Sequence, residues 1–92
     1  MELERDVEGY LCRQVGRVGG LCVKLGQDGW PDRLAVVGGE TFWLELKRSD
    51  GQLSELQKFR REQLRQRRVE VFVVDSKEAV DEFIRSLPSP GR

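Results

Sequence analysis

Gly38-Gly39 stands between two β-forming runs, and nothing else in this chain constrains its fold as tightly. Residues 34–37 are apolar and end in two valines, and residues 41–46 pass through a threonine and two aromatics. A glycine pair between such runs predicts a β-hairpin. If Gly38-Gly39 forms a two-residue loop, Val37 faces Glu40, and counting outward sets Asp32 opposite Glu45, where same-face side chains approach within about 5 Å. If Gly39-Glu40 is the loop, Asp32 faces Lys47 and Glu45 becomes its diagonal neighbour. A three-residue loop without a bulge reverses the parity and puts Asp32 on the other face from both.

In either two-residue register, Asp32, Glu45 and Lys47 gather in one place, and the chemistry of such a cluster is specific. Two hard carboxylates and the backbone carbonyl of Leu46 suit a magnesium or manganese ion, which keeps several waters and takes its remaining oxygens from a phosphate. Lys47 lies two residues beyond Glu45 on the same strand face, placed to orient an attacking water and to stabilise charge developing on phosphoryl oxygens. The plainer reading is a solvated strand edge, since 35% of the residues are charged and acid-apolar-lysine runs are common there.

Around the hairpin the periodicity alternates between helix and strand. Leu3, Val7, Leu11, Val15 and Val18 keep a helical spacing over residues 2–18, stopped by Gly19-Gly20. Residues 21–25 read as a short strand with Leu21, Val23 and Leu25 on one face and Cys22 and Lys24 on the other, so Lys24 either faces the catalytic side or, as the plainer reading, is an ordinary edge-strand lysine. The run from Gly26 to Asp32 is loop chemistry, in which Pro31 holds Trp30 extended. Trp30 is expected either to stack on a base or sugar or to cover the local core, and Asp28 adds a loop carboxylate. Ser49-Asp50-Gly51 breaks the strand, and Leu53, Leu56, Phe59 and Leu64 support a helix over 52–68. Gln57 falls towards the apolar side of that helix, where an amide needs a partner. Residues 69–74 are almost continuously apolar and predict a strand buried on both faces. Ser76 caps a last helix over 77–86, and residues 88–92 read as a frayed tail beyond a single domain of residues 1–87. The order is α-β-β-β-α-β-α, an α/β fold around one mixed sheet.

Charge and cysteine usage narrow the function classes. The formal net charge is zero, which excludes nucleic-acid binding by bulk positive charge. Its distribution is uneven: Glu2, Glu4, Asp6 and Glu8 make the amino end acidic, while Lys58, Arg60, Arg61, Arg65, Arg67 and Arg68 crowd one helix. That helix is either a solvated basic face or a surface that tracks phosphates. The chain has no histidine, so a histidine general base and a Cys/His zinc site are excluded as self-contained mechanisms. Cys12 and Cys22 are too few and too far apart in sequence for a disulfide framework, and reduced thiols are expected. No long apolar stretch or export signal appears, so a soluble cytoplasmic protein with no membrane contact is expected. At this size oligomerisation often adds buried surface.

Gly29-Trp30-Pro31-Asp32-Arg33, then Trp43-Leu44-Glu45-Leu46-Lys47, then Leu53-Ser54-Glu55-Leu56-Gln57, resembles the virus-type replication-repair nuclease domain, VRR-NUC, of the PD-(D/E)xK nucleases. The similarity runs from the first helix with Glu8, through Gly19-Gly20 and Lys24, to the strand over 69–74, and the length fits a free-standing domain of phages and bacteria. The resemblance implies a restriction-endonuclease-like core and a metal-dependent DNA endonuclease with Mg2+ or Mn2+ on Asp32, Glu45 and the Leu46 carbonyl. It implies Lys47 as the residue that activates water, Gln57 at the active-site water or DNA backbone, and Glu8 as a further acid reaching the metal directly or through water. Lys24, Lys58, Arg61 and Arg65 are the DNA-contact candidates. It further implies a homodimer acting on branched DNA in the manner of a Holliday junction resolvase. The alternative is a non-catalytic DNA-binding or replisome-interaction module that keeps the fold.

Overall fold

A computed structural model describes residues 3–47 and 51–87. Its elements are α1 (Glu4–Arg17), β1 (Leu21–Lys24), β2 (Arg33–Val37), β3 (Glu40–Leu46), α2 (Glu55–Gln66), β4 (Val71–Val74) and α3 (Lys77–Ser86). The strands form one sheet in the order β1-β2-β3-β4. β1/β2 and β2/β3 are antiparallel and β3/β4 is parallel. A parallel neighbour needs a crossover, which the segment carrying α2 supplies. This is the α/β fold with a mixed sheet that the element order predicted. Glu2, Ser49, Asp50 and the tail over 88–92 lie outside the described residues.

The hairpin takes the first of the two registers. Val37 faces Glu40 and Arg33 faces Leu44, around Gly38 and Gly39 with φ of 60° and 83°. Two successive left-handed residues make the turn whose twist matches paired strands, and glycine is the residue that adopts both without strain. Gly20 is required for a different reason: a Cβ there would lie 2.5 Å from a Val37 methyl and 2.9 Å from the Val36 carbonyl oxygen.

Strand alternation then sorts the sheet into two unlike faces. Ala35, Val37, Leu44, Leu46 and Val74 point to the side covered by α1 and α3, where they pack with Val7, Leu11, Val15, Val80 and Phe83. Phe42, Phe72 and Phe83 join this core with ring centroids 5.4–6.2 Å apart. The opposite face carries Leu34, Val36, Trp43, Glu45 and Val71 and is only partly covered, by α2.

Two expectations fail for that reason. Along α2 the side turned to the sheet is Gln57, Arg60 and Leu64, with Leu53 just ahead of the helix, whereas Leu56 and Phe59 are 46% and 57% exposed. β4 is not buried on both faces: it is an edge strand, it begins at Val71, and Val73 is exposed where α2 does not reach. Residues 68 and 69 instead end the helix. Arg68 N–H donates to Arg65 O and Val69 N–H to Leu64 O, with Arg68 at φ 65° in the position glycine usually holds.

Candidate active site

Asp32 follows Pro31 at the mouth of the hairpin, just before β2, and its backbone N–H donates to Leu44 O at 3.0 Å. That bond is offset by one residue from the Arg33–Leu44 pairing that ends the ladder, and the Asp32 side chain hydrogen-bonds the Glu45 carboxyl. The Asp32 carboxylate accepts the Leu46 N–H at 2.8 Å. Because a strand residue presents its N–H and C=O to the same side, the Leu46 carbonyl also points towards the β2 side, where Asp32 lies.

Glu45 is the one buried charged residue among those described, 3% exposed. Gln57 donates from Nε2 to Glu45 Oε2 at 2.8 Å while its Oε1 accepts the Ser54 N–H at 2.8 Å. Ser54 Oγ in turn accepts the Gln57 N–H. The residues that start α2 are therefore the residues that grip Glu45: the reciprocal cap fixes the Gln57 side chain, and the fixed amide fixes the acid.

Burial, and next the hydrogen-bonded, negatively charged Asp32 beside it, push the Glu45 carboxyl from 4.5 up to about 8. Lys47 opposes this rise, and Glu4, at the start of α1, adds to it. A carboxyl whose folded pKa lies above its unfolded value stabilises the fold while protonated. That contribution is complete below about pH 4.5 and is lost as pH rises through about 8. In metal-free buffer the melting temperature is expected to fall across this window, and Glu45→Gln is expected to flatten the fall. An unaltered slope in that variant would assign it to other groups.

These donors suit a hard divalent cation, because two carboxylates in contact raise each other's proton affinity unless a cation sits between them. Asp32, Glu45 and the Leu46 carbonyl would hold it, leaving its remaining positions to water and phosphate. Among the described residues no cluster of three or more acidic, cysteine or histidine side chains completes a closed metal cage.

The other expected site residues are placed unequally. Glu8 is engaged by Arg33, the residue next to Asp32. It accepts the Arg33 Nε–H at 2.7 Å, while Glu4, at the start of the same helix, is a minor contributor to the rise at Glu45. Lys24 pairs in register with Arg33 and so lies on the sheet face opposite Glu45 and Trp43; the catalytic-side placement is corrected. Trp30 packs on Trp43 at 6.1 Å between ring centroids and lies under the Arg60 guanidinium, 4.5 Å from the ring centre. It forms a wall next to the acids, consistent with the covering role. Asp28 is exposed in its loop.

Lys58, Arg61, Arg65 and Arg68, four cations against the two acids Glu62 and Glu70, line an open groove of about 570 Å³ between α2 and the start of β4, together with Val69 and Val71. Arg61 and Val71 also line the small cleft that holds Glu45 and Gln57, so the groove adjoins Glu45. Arg65 is paired with Glu62 at 2.6 Å on the exposed side of α2.

A mixed four-stranded sheet with a Pro-Asp acid meeting a Glu-x-Lys strand at the mouth of its hairpin defines a PD-(D/E)xK nuclease fold. No family model matches the chain, and none of the curated proteins matches it. A solved structure described as a VRR_NUC domain does. It superposes with a TM-score of 0.83 at 31% sequence identity, over 92% of this chain and 97% of that one. The chain belongs to the VRR-NUC family. Among the described residues no helix is long and apolar enough to cross a membrane.

Proposed function

We propose that this protein is a Mg2+- or Mn2+-dependent endodeoxyribonuclease that hydrolyses phosphodiester bonds in branched DNA as a homodimer. The observation that carries the reading is the buried Glu45 held against Asp32, with Lys47 close enough to oppose the rise in its pKa. A divalent ion bound by these acids would supply the Lewis acid that polarises the scissile phosphate. The chain's own residues do the rest. Gln57 keeps the Glu45 carboxylate oriented, Lys47 holds the attacking water and meets charge building on the phosphoryl oxygens, and Trp30 with Arg60 walls the cleft. Glu8 acts indirectly, by anchoring Arg33, the residue that follows Asp32.

The basic groove supports DNA as the substrate. Arg68 occupies a backbone conformation that costs a non-glycine residue roughly 1 kcal/mol, and its side chain lines the groove. Replacing Arg61 with glutamine is expected to weaken DNA binding across all sequences and to reduce the salt slope on duplex DNA by roughly 0.9 for each phosphate that is no longer neutralised. An unchanged slope would return the groove to solvation. A dimer is favoured by the uncovered apolar strip of Leu21, Val23 and Val36 on β1 and β2, respectively 67%, 43% and 37% exposed. Phe42, by contrast, is packed in the core, and Trp43 against Trp30.

The test is a cleavage panel of four-way junction, flap and plain duplex, with manganese, magnesium or chelator. Paired symmetric nicks in the junction from a species that light scattering shows to be dimeric support the full reading. Cleavage by a monomer leaves a simple nicking or flap nuclease. Binding without cleavage under every metal condition favours the non-catalytic module.

A further inference from the structure

Cys12 and Cys22, separate in sequence, meet in space. The two thiols share a hydrogen bond, Sγ to Sγ 3.0 Å, joining the middle of α1 to edge strand β1, and both residues are free and half-buried. The contact follows from the fold. Cys12 lies next to buried Leu11 on the helix, Cys22 points to the α1 side of β1 in register with Ala35, and the Gly19-Gly20 turn returns the chain tightly enough to bring them together. Arg33 completes the surroundings: its Nη1 donates to Cys22 O at 3.3 Å while its Nε holds Glu8.

We propose that Cys12 and Cys22 form a redox couple that a low-molecular-weight disulfide such as oxidised glutathione converts into an intramolecular disulfide, stapling α1 to β1. The sulfurs must close by only about 1 Å to reach bonding distance, a shift within side-chain reach. The Cys12 thiolate attacks one glutathione sulfur, forms a mixed disulfide and expels one glutathione thiolate. Cys22 then attacks the Cys12 sulfur and expels the second, and the two thiol protons pass to the departing thiolates. One protein dithiol and one glutathione disulfide become one protein disulfide and two glutathione thiols. The order follows from the environment: burial, and next a hydrogen bond in which Cys22 keeps its proton against Cys12, push the Cys22 thiol up to about 12, which leaves Cys12 as the first nucleophile.

The closed loop spans the end of α1, the turn and the start of β1, all local structure already in place, so the bond mainly restricts the unfolded chain. It lies on the sheet face opposite Asp32 and Glu45, and the couple does not depend on the nuclease reading.

Fully reduced protein incubated anaerobically with oxidised glutathione is expected to lose both alkylatable thiols and the mass of two hydrogen atoms, to retain no glutathione, and to stay a single chain on a non-reducing gel. Its melting temperature is expected to rise by at least about 5 °C and to return on reduction. Cys22→Ser is expected to trap one glutathione on Cys12, and Cys12→Ser to take up far less. Two thiols still alkylatable after incubation, glutathione on both cysteines, or covalently linked chains would overturn the proposal. Equal adducts on the two single variants would overturn the assigned order of attack.

Discussion

Replacing Asp32 with asparagine is expected to remove DNA cleavage, lowering the rate by on the order of a hundredfold or more, while the fold survives. The asparagine side-chain oxygen can still accept the Leu46 N–H that Asp32 now accepts at 2.8 Å, so the hairpin mouth keeps its hydrogen bond. What disappears is one negative charge, and with it half of the carboxylate pair that would hold a divalent ion. Lys47→Ala is expected to act at the same step by removing a cation whose charge is felt at Glu45 from the same strand face. Both variants are to be compared with the unaltered chain by single-turnover cleavage at saturating manganese and by circular dichroism melting. Full activity in a folded Asp32→Asn chain would rule out this site.

Leu44→Ala is expected to act on the fold. Leu44 is fully buried on the α1/α3 side of β3, paired in register with Arg33 on one side and Phe72 on the other. Truncating such a leucine costs about 2–5 kcal/mol, because the missing methyl groups leave a cavity that a close-packed core only partly fills. A small domain has roughly 5–15 kcal/mol in total, so the melting temperature should drop by roughly 10 °C or more. Activity per folded molecule at low temperature should remain, since the Leu44 side chain points to the sheet face opposite Glu45. A melting temperature within a few degrees of the unaltered chain would mean that β3 is not the centre of the core.

The hairpin was legible in the sequence because its determinants are local. Gly38-Gly39 specifies a turn, alternation specifies faces, and either two-residue loop gathers Asp32, Glu45 and Lys47, while the choice between the registers came from the folded chain. The helix caps at Ser54 and Ser76 are equally local, and the Ser76 side chain accepts the Ala79 N–H at 3.0 Å. The motif placed Gln57 at the active-site water or the DNA backbone, and the fold instead directs its amide to Glu45.

Tertiary structure decided whatever depends on how much of the sheet each helix covers. Periodicity gave α2 an apolar stripe through Leu56 and Phe59, but α2 meets the sheet through Gln57, Arg60 and Leu64, and no count along the chain reveals that rotation. Lys24 alternates correctly with its neighbours, yet the register of β1 on β2 chooses which layer it faces. Glu8 has the right spacing on α1, and Arg33 intercepts it across a gap of 25 residues in sequence. The thiols of Cys12 and Cys22 meet for the same kind of reason. Turn chemistry and side-chain alternation act over a few residues and can be read from the chain, whereas the layer a side chain enters is set by packing between elements distant in sequence, which only the folded molecule specifies.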